Sequence, residues 1–149
     1  MTLAIKLKSL KDSAENSDGL RILIARYRPR YLPKDKENWD QWWKEIAPSR
    51  DLWKSYIKDK KIGWPEYERQ YIDEIKNNPE SVNLLQIVSS FVNGNGDGSK
   101  YVQQEQEQQK RYDLIQKCDT LTLLCHCKDE KYCHRSIVKE MILKSSQNI

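Results

Sequence analysis

The chain has 149 residues, of which 38% are hydrophobic and 32% are charged, a composition typical of one soluble globular domain. Its formal net charge of +4 tolerates an acidic or phosphorylated ligand but is too small to indicate nucleic-acid binding by itself. No apolar run reaches the length of a membrane span, and the first residues lack the continuous apolar segment of a secretory signal. We therefore expect a cytoplasmic protein that does not contact a membrane and whose cysteines are reduced.

Three short apolar segments predict strands. Leu3, Ile5 and Leu7 alternate with more polar neighbours, as in a half-buried strand. Residues 22–25 form a continuous apolar run behind a glycine, which favours a strand covered on both faces. The β-rich run "DTLTLLC" predicts a third strand that ends at Cys125.

Helices are predicted in the remainder of the chain by capping residues and by apolar residues at helical spacing. We place them after Asn38, after Ser49, from Trp64, from Pro79, over residues 100–117 and from about Cys133. The helix over 100–117 is strongly polar, and it follows a glycine-rich loop at 93–99 that we expect to be flexible. Strands separated by helices predict an α/β fold: one layered domain over 1–149, with a small, mainly parallel sheet flanked by helices.

The segment "LLCHCKDEKYCHRS", residues 123–136, holds three of the four cysteines and both histidines. If a strand ends at Cys125, this thiol lies at the carboxyl edge of the sheet, where open α/β sheets bind ligands. The amides at the start of the last helix can bind an anion and lower the pKa of a nearby thiol. We predict Cys125 as a thiolate nucleophile and His134 as its base, and we predict that Cys133, Arg135 and Ser136 contact the ligand.

Two other interpretations of this segment stay open. Zinc could be held by Cys125, Cys127, Cys133 and His134, although the segment lacks the two Cys-x-x-Cys pairs of common structural zinc sites. Alternatively the cysteines are small apolar core residues, and His134 is a buried histidine in register with the apolar face of the last helix. We expect no cofactor, with zinc as the exception to be tested.

A basic loop, "RYRPR" at 26–30, follows the second predicted strand. Arg26 and Arg30 would reach the same sheet edge and neutralise an anion there, and Ser49 would add a hydrogen bond. A solvated loop is the simpler interpretation, and arginine interleaved with tyrosine also suits nucleic acid. We predict a small anionic ligand, with nucleotides among the candidates. The alternative is a non-enzymatic interaction module, for instance a homodimer formed through the tryptophan-rich helices and the glutamine-rich arm.

Four segments carry a resemblance to a known family. "RILIARYRPRYL", "WWKEIAPSRDLW", "WPEYERQYIDEI" and "LTLLCHCKDEKYCHRSIV" occur in the order seen in the domain-of-unknown-function family 488. The resemblance implies a small intracellular α/β domain, found mainly in prokaryotes, without a settled biochemical activity. The segment "CHCKDEKYCH" also resembles part of other small α/β proteins suspected of nucleotide sensing.

The chain departs from the family pattern in the basic loop. Members usually have an acid where Ala25 stands, Trp where Arg28 stands and Gly where Tyr31 stands, whereas Arg26 and Arg30 match. An activity that depended on the acid would be lost in this chain.

Overall fold

The structure, a computed structural model, describes residues 2–92, 102, 106–127 and 130–147. Within these residues one sheet is formed by β1 (Ala4–Ser9), β2 (Leu20–Leu23), β3 (Gln41–Trp42) and β4 (Thr120–Cys125). The strands are parallel throughout, in the order β1-β4-β2-β3. Their carboxyl ends therefore lie along one edge, and the last strand in sequence occupies a central position.

Five α-helices accompany the sheet in the described part of the chain. They are α1 (Arg50–Trp53), which continues as a wider turn over Lys54–Lys58, α2 (Trp64–Lys76), α3 (Pro79–Val92), α4 (Gln106–Gln116) and α5 (His134–Gln147). Ser49 caps α1 by accepting a hydrogen bond from the backbone N–H of Leu52, and Pro65 stands in the first turn of α2. The helices and the parallel sheet confirm the predicted α/β class.

One large hydrophobic core joins the helices to the sheet. It contains Ile22, Ile24, Leu121 and Leu123 from β2, β4 and their ends, packed against buried residues of α2, α3, α4 and α5. Residues 22–25 are all buried, as the continuous apolar run predicted, although the strand itself lies two residues earlier, at Leu20–Leu23. β2 and β4 are thus anchored in this core.

The buried carboxylate of Asp18 pairs with basic side chains that project from β1 and β2. The Asp18 side chain accepts hydrogen bonds from the Nζ atoms of Lys6 and Lys8, at 2.7 and 3.0 Å, and from the Arg21 guanidinium. The backbone N–H of Glu15 donates to the same carboxylate at 3.0 Å. Three cations around one carboxylate let lysine and arginine side chains lie against the sheet, because their charges are compensated.

The prediction of a helix after Asn38 is wrong. Residues 41–42 form β3, which pairs with β2, and residues 44–46 form a short 3-10 turn. Trp43 is buried in the main core, whereas its neighbour Trp42 packs against the smaller cluster that contains Leu23. Neighbouring residues on opposite sides are typical of a strand, so the tryptophans are divided between two surfaces.

The predicted polar helix over 100–117 corresponds to α4, for which the structure describes Gln106–Gln116. This helix is less solvated than the sequence suggested, because Arg111 is buried and pairs with Glu45 at 2.9 Å. The glycine-rich loop at 93–99 lies outside the described residues. None of the described helices is long and apolar enough to cross a membrane.

Candidate functional site: a thiol-lined cavity at the carboxyl edge of the sheet

A cavity of about 270 Å³, the thiol cavity, opens where β2 and β4 end. Its sulfur and imidazole lining comes from Cys125, Cys127, Cys133, His126 and His134. Its aromatic walls come from Tyr27, Trp53, Tyr56, Tyr67 and Tyr132. Arg26 is the one charged side chain among the described residues that line it. Parallel strands explain this placement, because their carboxyl ends deliver successive loops to one crevice.

The three thiols come together because of the way in which β4 ends. Cys125 is the last residue of β4, and its sulfur lies 3.8 Å from that of Cys127, two residues further along. Cys133 directly precedes α5 and is buried. The described cysteines are all free thiols, so the cavity holds three reduced sulfurs.

His134, the first residue of α5, has a fixed ring orientation. Its Nε2 lies 2.7 Å from the carbonyl oxygen of Ile24, and its Nδ1 lies 3.6 Å from the Cys133 sulfur. A carbonyl oxygen only accepts hydrogen bonds, so Nε2 carries a proton. Nδ1 is thus the ring nitrogen that faces the sulfur cluster.

The hydrogen bonds among the sulfurs shift the pKa values of Cys125 and Cys133 in opposite directions. Bonds with the Cys125 and Cys127 thiols lower the pKa of Cys133 well below its usual value, although burial opposes them. Bonds with Cys127 and Cys133 raise the pKa of Cys125 well above its usual value. Cys133 therefore has a lower pKa than Cys125. The assignment of Cys125 as the nucleophile, made from the sequence, stays a prediction.

The side chain of Arg135 forms its hydrogen bonds within the protein. Its side chain is buried, with Nε 3.4 Å from the Cys133 sulfur and Nη2 donating to the carbonyl oxygen of Cys127 at 2.8 Å. Ser136 donates its hydroxyl to the carbonyl oxygen of Cys133 at 2.9 Å. Neither residue lines the thiol cavity. They hold the turn before α5, and Arg135 places a positive charge beside the Cys133 sulfur.

The remaining predicted ligand residues lie at three different places in the structure. Arg26 lines the thiol cavity, where its Nε donates to the carbonyl oxygen of Pro48 at 2.6 Å. Ser49 does not line the cavity, because its hydroxyl caps α1 and bonds the carboxylate of Glu74. Arg30 is exposed and lies in an adjoining depression.

This adjoining depression, the basic groove, extends the thiol cavity across the surface. It is lined by Tyr27, Arg28, Arg30, Trp53, Lys58 and His126. The groove shares Tyr27, Trp53 and His126 with the cavity. Its charged side chains are all basic, and Arg28 is already paired with Glu37. The described Arg and Lys residues that line the cavity and the groove thus face no carboxylate within the two linings.

The aromatic walls were missed as site residues by sequence reasoning. Tyr56 and Tyr67 stack with ring centroids 4.2 Å apart, and Tyr27 meets Trp53 edge to face at 4.8 Å. Trp53, Tyr56 and Tyr67 have the helical spacing of core residues, and only the fold shows that they face a cavity. The one available signal was the tyrosine in the basic loop.

A comparison with protein families gives a match over nearly the whole chain. The model DUF488-N3a, described as "Active DUF488-N3 subclade", matches residues 5–96 and 99–146. The chain is also 38% identical over 71 residues to "Uncharacterized protein YeaO" of Escherichia coli (strain K12). That alignment covers 48% of this chain and 61% of the relative, so the chain spans less than two thirds of the relative's length. No solved structure matches the chain. On the family match, the chain belongs to the DUF488 family, within its N3 subclade.

Proposed function

We propose that the chain binds a small anionic molecule with a planar ring, of the nucleotide class, in the thiol cavity. One observation carries this proposal: an aromatic-walled cavity opens into a groove whose described charged residues are all basic. Aromatic walls favour a flat, apolar ring, and the arginines and lysine favour a phosphate or carboxylate. A single ligand with both parts would use the cavity and the groove together.

The ring would lie among the aromatic side chains. A neighbouring pair, Tyr56 and Tyr67, is already stacked, with an angle of 19° between the rings. The Tyr56 hydroxyl donates to the carbonyl oxygen of Tyr132 at 3.1 Å, which links two walls of the cavity. Preformed walls reduce the conformational entropy lost on binding, and stacking of a base on an aromatic side chain contributes roughly 1–3 kcal/mol.

The anionic group would lie toward Arg26 and the basic groove. Two carbonyl oxygens, those of Pro48 and Ala47, orient the Arg26 guanidinium through Nε and Nη2. Held in this way, the side chain loses little further freedom when it binds an anion. Arg30 is exposed in the groove and can follow a longer phosphate chain.

The sulfurs and the His134 imidazole would face the bound ligand from the cavity lining. A thiol and an imidazole side by side are the groups of nucleophilic and acid–base catalysis. The matched family model describes its subclade as active, which supports a search for turnover of any ligand that binds. Ala25, buried at the carboxyl end of β2, supplies no carboxylate to such a reaction.

Binding is tested by titrating the full chain with nucleoside monophosphates, the matching uncharged nucleosides and inorganic phosphate, followed by calorimetry. We expect the monophosphate to bind more tightly than either of its parts. Replacing Arg26 with Gln should weaken monophosphate binding about tenfold, since a hydrogen bond to a charged group contributes about 1.5–3 kcal/mol. Arg69→Gln is the matched control, because Arg69 is exposed on α2 and pairs with Glu66.

Two results would contradict the proposal. One is the absence of saturable binding by any monophosphate. The other is equal affinity of the Arg26→Gln and Arg69→Gln variants, which would place the anion elsewhere.

The interaction-module alternative receives less support from the structure. Of the five tryptophans, Trp43 is buried and the others are half-buried, so they do not form an exposed apolar surface. The exposed large hydrophobic side chains among the described residues are Tyr27, Tyr31, Ile57 and Tyr132. Three of these four line the thiol cavity, which favours a ligand there over a partner elsewhere.

A further inference from the structure

We infer that Cys125, Cys133 and His134 together bind a thiophilic divalent metal ion of the zinc class in the lining of the thiol cavity. One ligand atom from each residue lies within 4.8 Å of the other two, and all three residues are buried. The inference goes beyond nucleotide binding and does not depend on it, because the metal alone is the probe that tests it.

The distances fit a tetrahedral centre. Zn–S bonds of about 2.3 Å and Zn–N bonds of about 2.0 Å place sulfur and nitrogen ligands about 3.6 Å apart, and two sulfur ligands about 3.8 Å apart. The Cys133 sulfur lies 3.6 Å from Nδ1 of His134. The ligand atoms of Cys125, Cys133 and His134 all lie within 4.8 Å of one another, so the remaining pairs would close by at most about 1 Å to reach tetrahedral distances. These ligand atoms would need little rearrangement to take up an ion.

The histidine is oriented as a metal ligand requires. Histidine ligands commonly donate their second ring nitrogen to a backbone carbonyl or a carboxylate, which fixes the ring and the free lone pair. In this chain Nε2 of His134 is bonded to the carbonyl oxygen of Ile24 at 2.7 Å. Nδ1 is therefore left for the metal.

Charge is compensated in the same arrangement. Two cysteine thiolates would neutralise a divalent ion, and the Arg135 Nε lies 3.4 Å from the Cys133 sulfur as an outer hydrogen-bond donor. Buried soft sulfur ligands select zinc or its analogues over magnesium and calcium, which prefer oxygen ligands. All three ligand residues line the cavity, so a fourth ligand taken from the cavity would complete a tetrahedral centre, as in zinc sites that keep one position open.

The test is a cobalt(II) titration of the full chain, freed of metal with a chelator and kept reduced. Cobalt(II) reports both its geometry and its sulfur ligands through its absorption spectrum. We expect about one ion per chain, with the visible bands of tetrahedral cobalt and a thiolate charge-transfer band, and zinc should displace the cobalt. An octahedral, sulfur-free spectrum, or no binding, would overturn the inference.

The chain offers a matched control for the cysteine ligands. Cys133→Ser and His134→Gln should weaken cobalt binding at least about 100-fold, the upper end of losses measured even for outer partners of a metal site. Cys118→Ser should leave it unchanged, because Cys118 lies outside the grouped ligands and donates to the carbonyl oxygen of Leu114. Equal affinity of Cys133→Ser and Cys118→Ser would refute the assignment.

A measurement on the unsubstituted chain keeps the inference testable if a variant fails to fold. Zinc should slow the alkylation of Cys125 and Cys133 at least about tenfold while leaving Cys118 unchanged, with each thiol assigned by peptide mass spectrometry. Unchanged alkylation of Cys125 and Cys133 in the presence of zinc would overturn the proposed site even if nucleotides bind.

Discussion

Replacement of Asp18 with Asn removes one buried negative charge and almost nothing else. The Asp18 side chain is fully buried, and it faces Lys6 and Lys8 on β1 and Arg21 on β2. The side chains of Lys8 and Arg21 are only 8% and 7% exposed, so neither can turn to water without repacking. Lys6 is 35% exposed and can be hydrated.

The cost follows from the two cations that stay buried. Breaking a buried charge pair by removing one partner typically costs about 3–5 kcal/mol, because the other charge is left uncompensated. Asn retains a carbonyl oxygen that can accept from the Glu15 N–H, which limits the loss. Lys8 keeps a second ion pair, with Glu15 at 3.4 Å, so we expect Asp18→Asn to lower the free energy of unfolding by about 3 kcal/mol at neutral pH, the lower end of this range.

The pH dependence gives the same prediction a second measurement. Burial raises the pKa of Asp18, but hydrogen bonds from Lys6, the Glu15 backbone and Lys8 outweigh it and hold the pKa far below its usual value. The carboxylate's contribution is complete above the unfolded pKa of about 3.9 and is lost as the pH falls toward the folded pKa. The difference in stability between the unsubstituted chain and Asp18→Asn should therefore shrink below about pH 4.

Urea unfolding followed by tryptophan fluorescence measures both effects. Asp73→Asn is the control, since the ion pair of Asp73 with Arg69 is exposed and should contribute less than about 1 kcal/mol. The reasoning would be refuted if Asp18→Asn cost no more than Asp73→Asn. A cost that stayed constant into acid would show that the charge is not its source.

Two further substitutions test the fold around the site. Gly19 has φ +63°, and a Cβ there would lie 2.2 Å from the carbonyl oxygen of Thr120, so Gly19→Ala should cost more than about 2 kcal/mol in urea unfolding. Gly63→Ala, where the added carbon has an ordinary contact, should cost less than about 1 kcal/mol, and similar costs would contradict this account. Ser49→Ala should lower the free energy of unfolding by about 1–2 kcal/mol, because it removes the cap of α1 and the hydroxyl bonded to Glu74. Calorimetry should show unchanged monophosphate affinity for that variant, and a tenfold loss would restore Ser49 as a ligand residue.

The residues at the carboxyl edge of the sheet could be predicted from the sequence, because the patterns that indicate its strands and the last helix are each confined to a few residues. A continuous apolar run, a β-rich run that ends at Cys125 and a helix that starts near Cys133 were each recognisable from a few residues. Parallel pairing then brings Cys125 and Arg26 to the same edge. For this reason the cavity contains four of the predicted site residues: Arg26, Cys125, Cys133 and His134.

The segment around the tryptophans was not predictable from spacing alone. Four apolar residues at positions 39, 42, 43 and 46 fit a helix, but they fit equally well a short strand followed by a turn. Pairing with β2 decided the outcome, through bonds such as the Trp43 N–H to the carbonyl oxygen of Leu23 at 2.8 Å. Such long-range partners are invisible in a local pattern.

The roles of the polar site residues were also beyond the sequence. Ser49 and Arg135 can face a ligand only if their donors are not already used within the protein. In the structure Ser49 donates to the Glu74 carboxylate and Arg135 donates to the Cys133 sulfur. The same holds for Tyr56 and Tyr67, whose helical spacing is the same whether they face the core or a cavity.

Shielding of the cavity cysteines tests the proposed binding site most directly. Metal-free protein is alkylated with and without a nucleoside monophosphate, and the labelling rate of each cysteine is read by peptide mass spectrometry. Cys127 lines the cavity and is half-buried, whereas Cys118 is half-buried at the end of α4 and serves as the internal control. We predict that the monophosphate slows the labelling of Cys127 and leaves that of Cys118 unchanged. Equal rates for Cys127 with and without the monophosphate would contradict the proposed site.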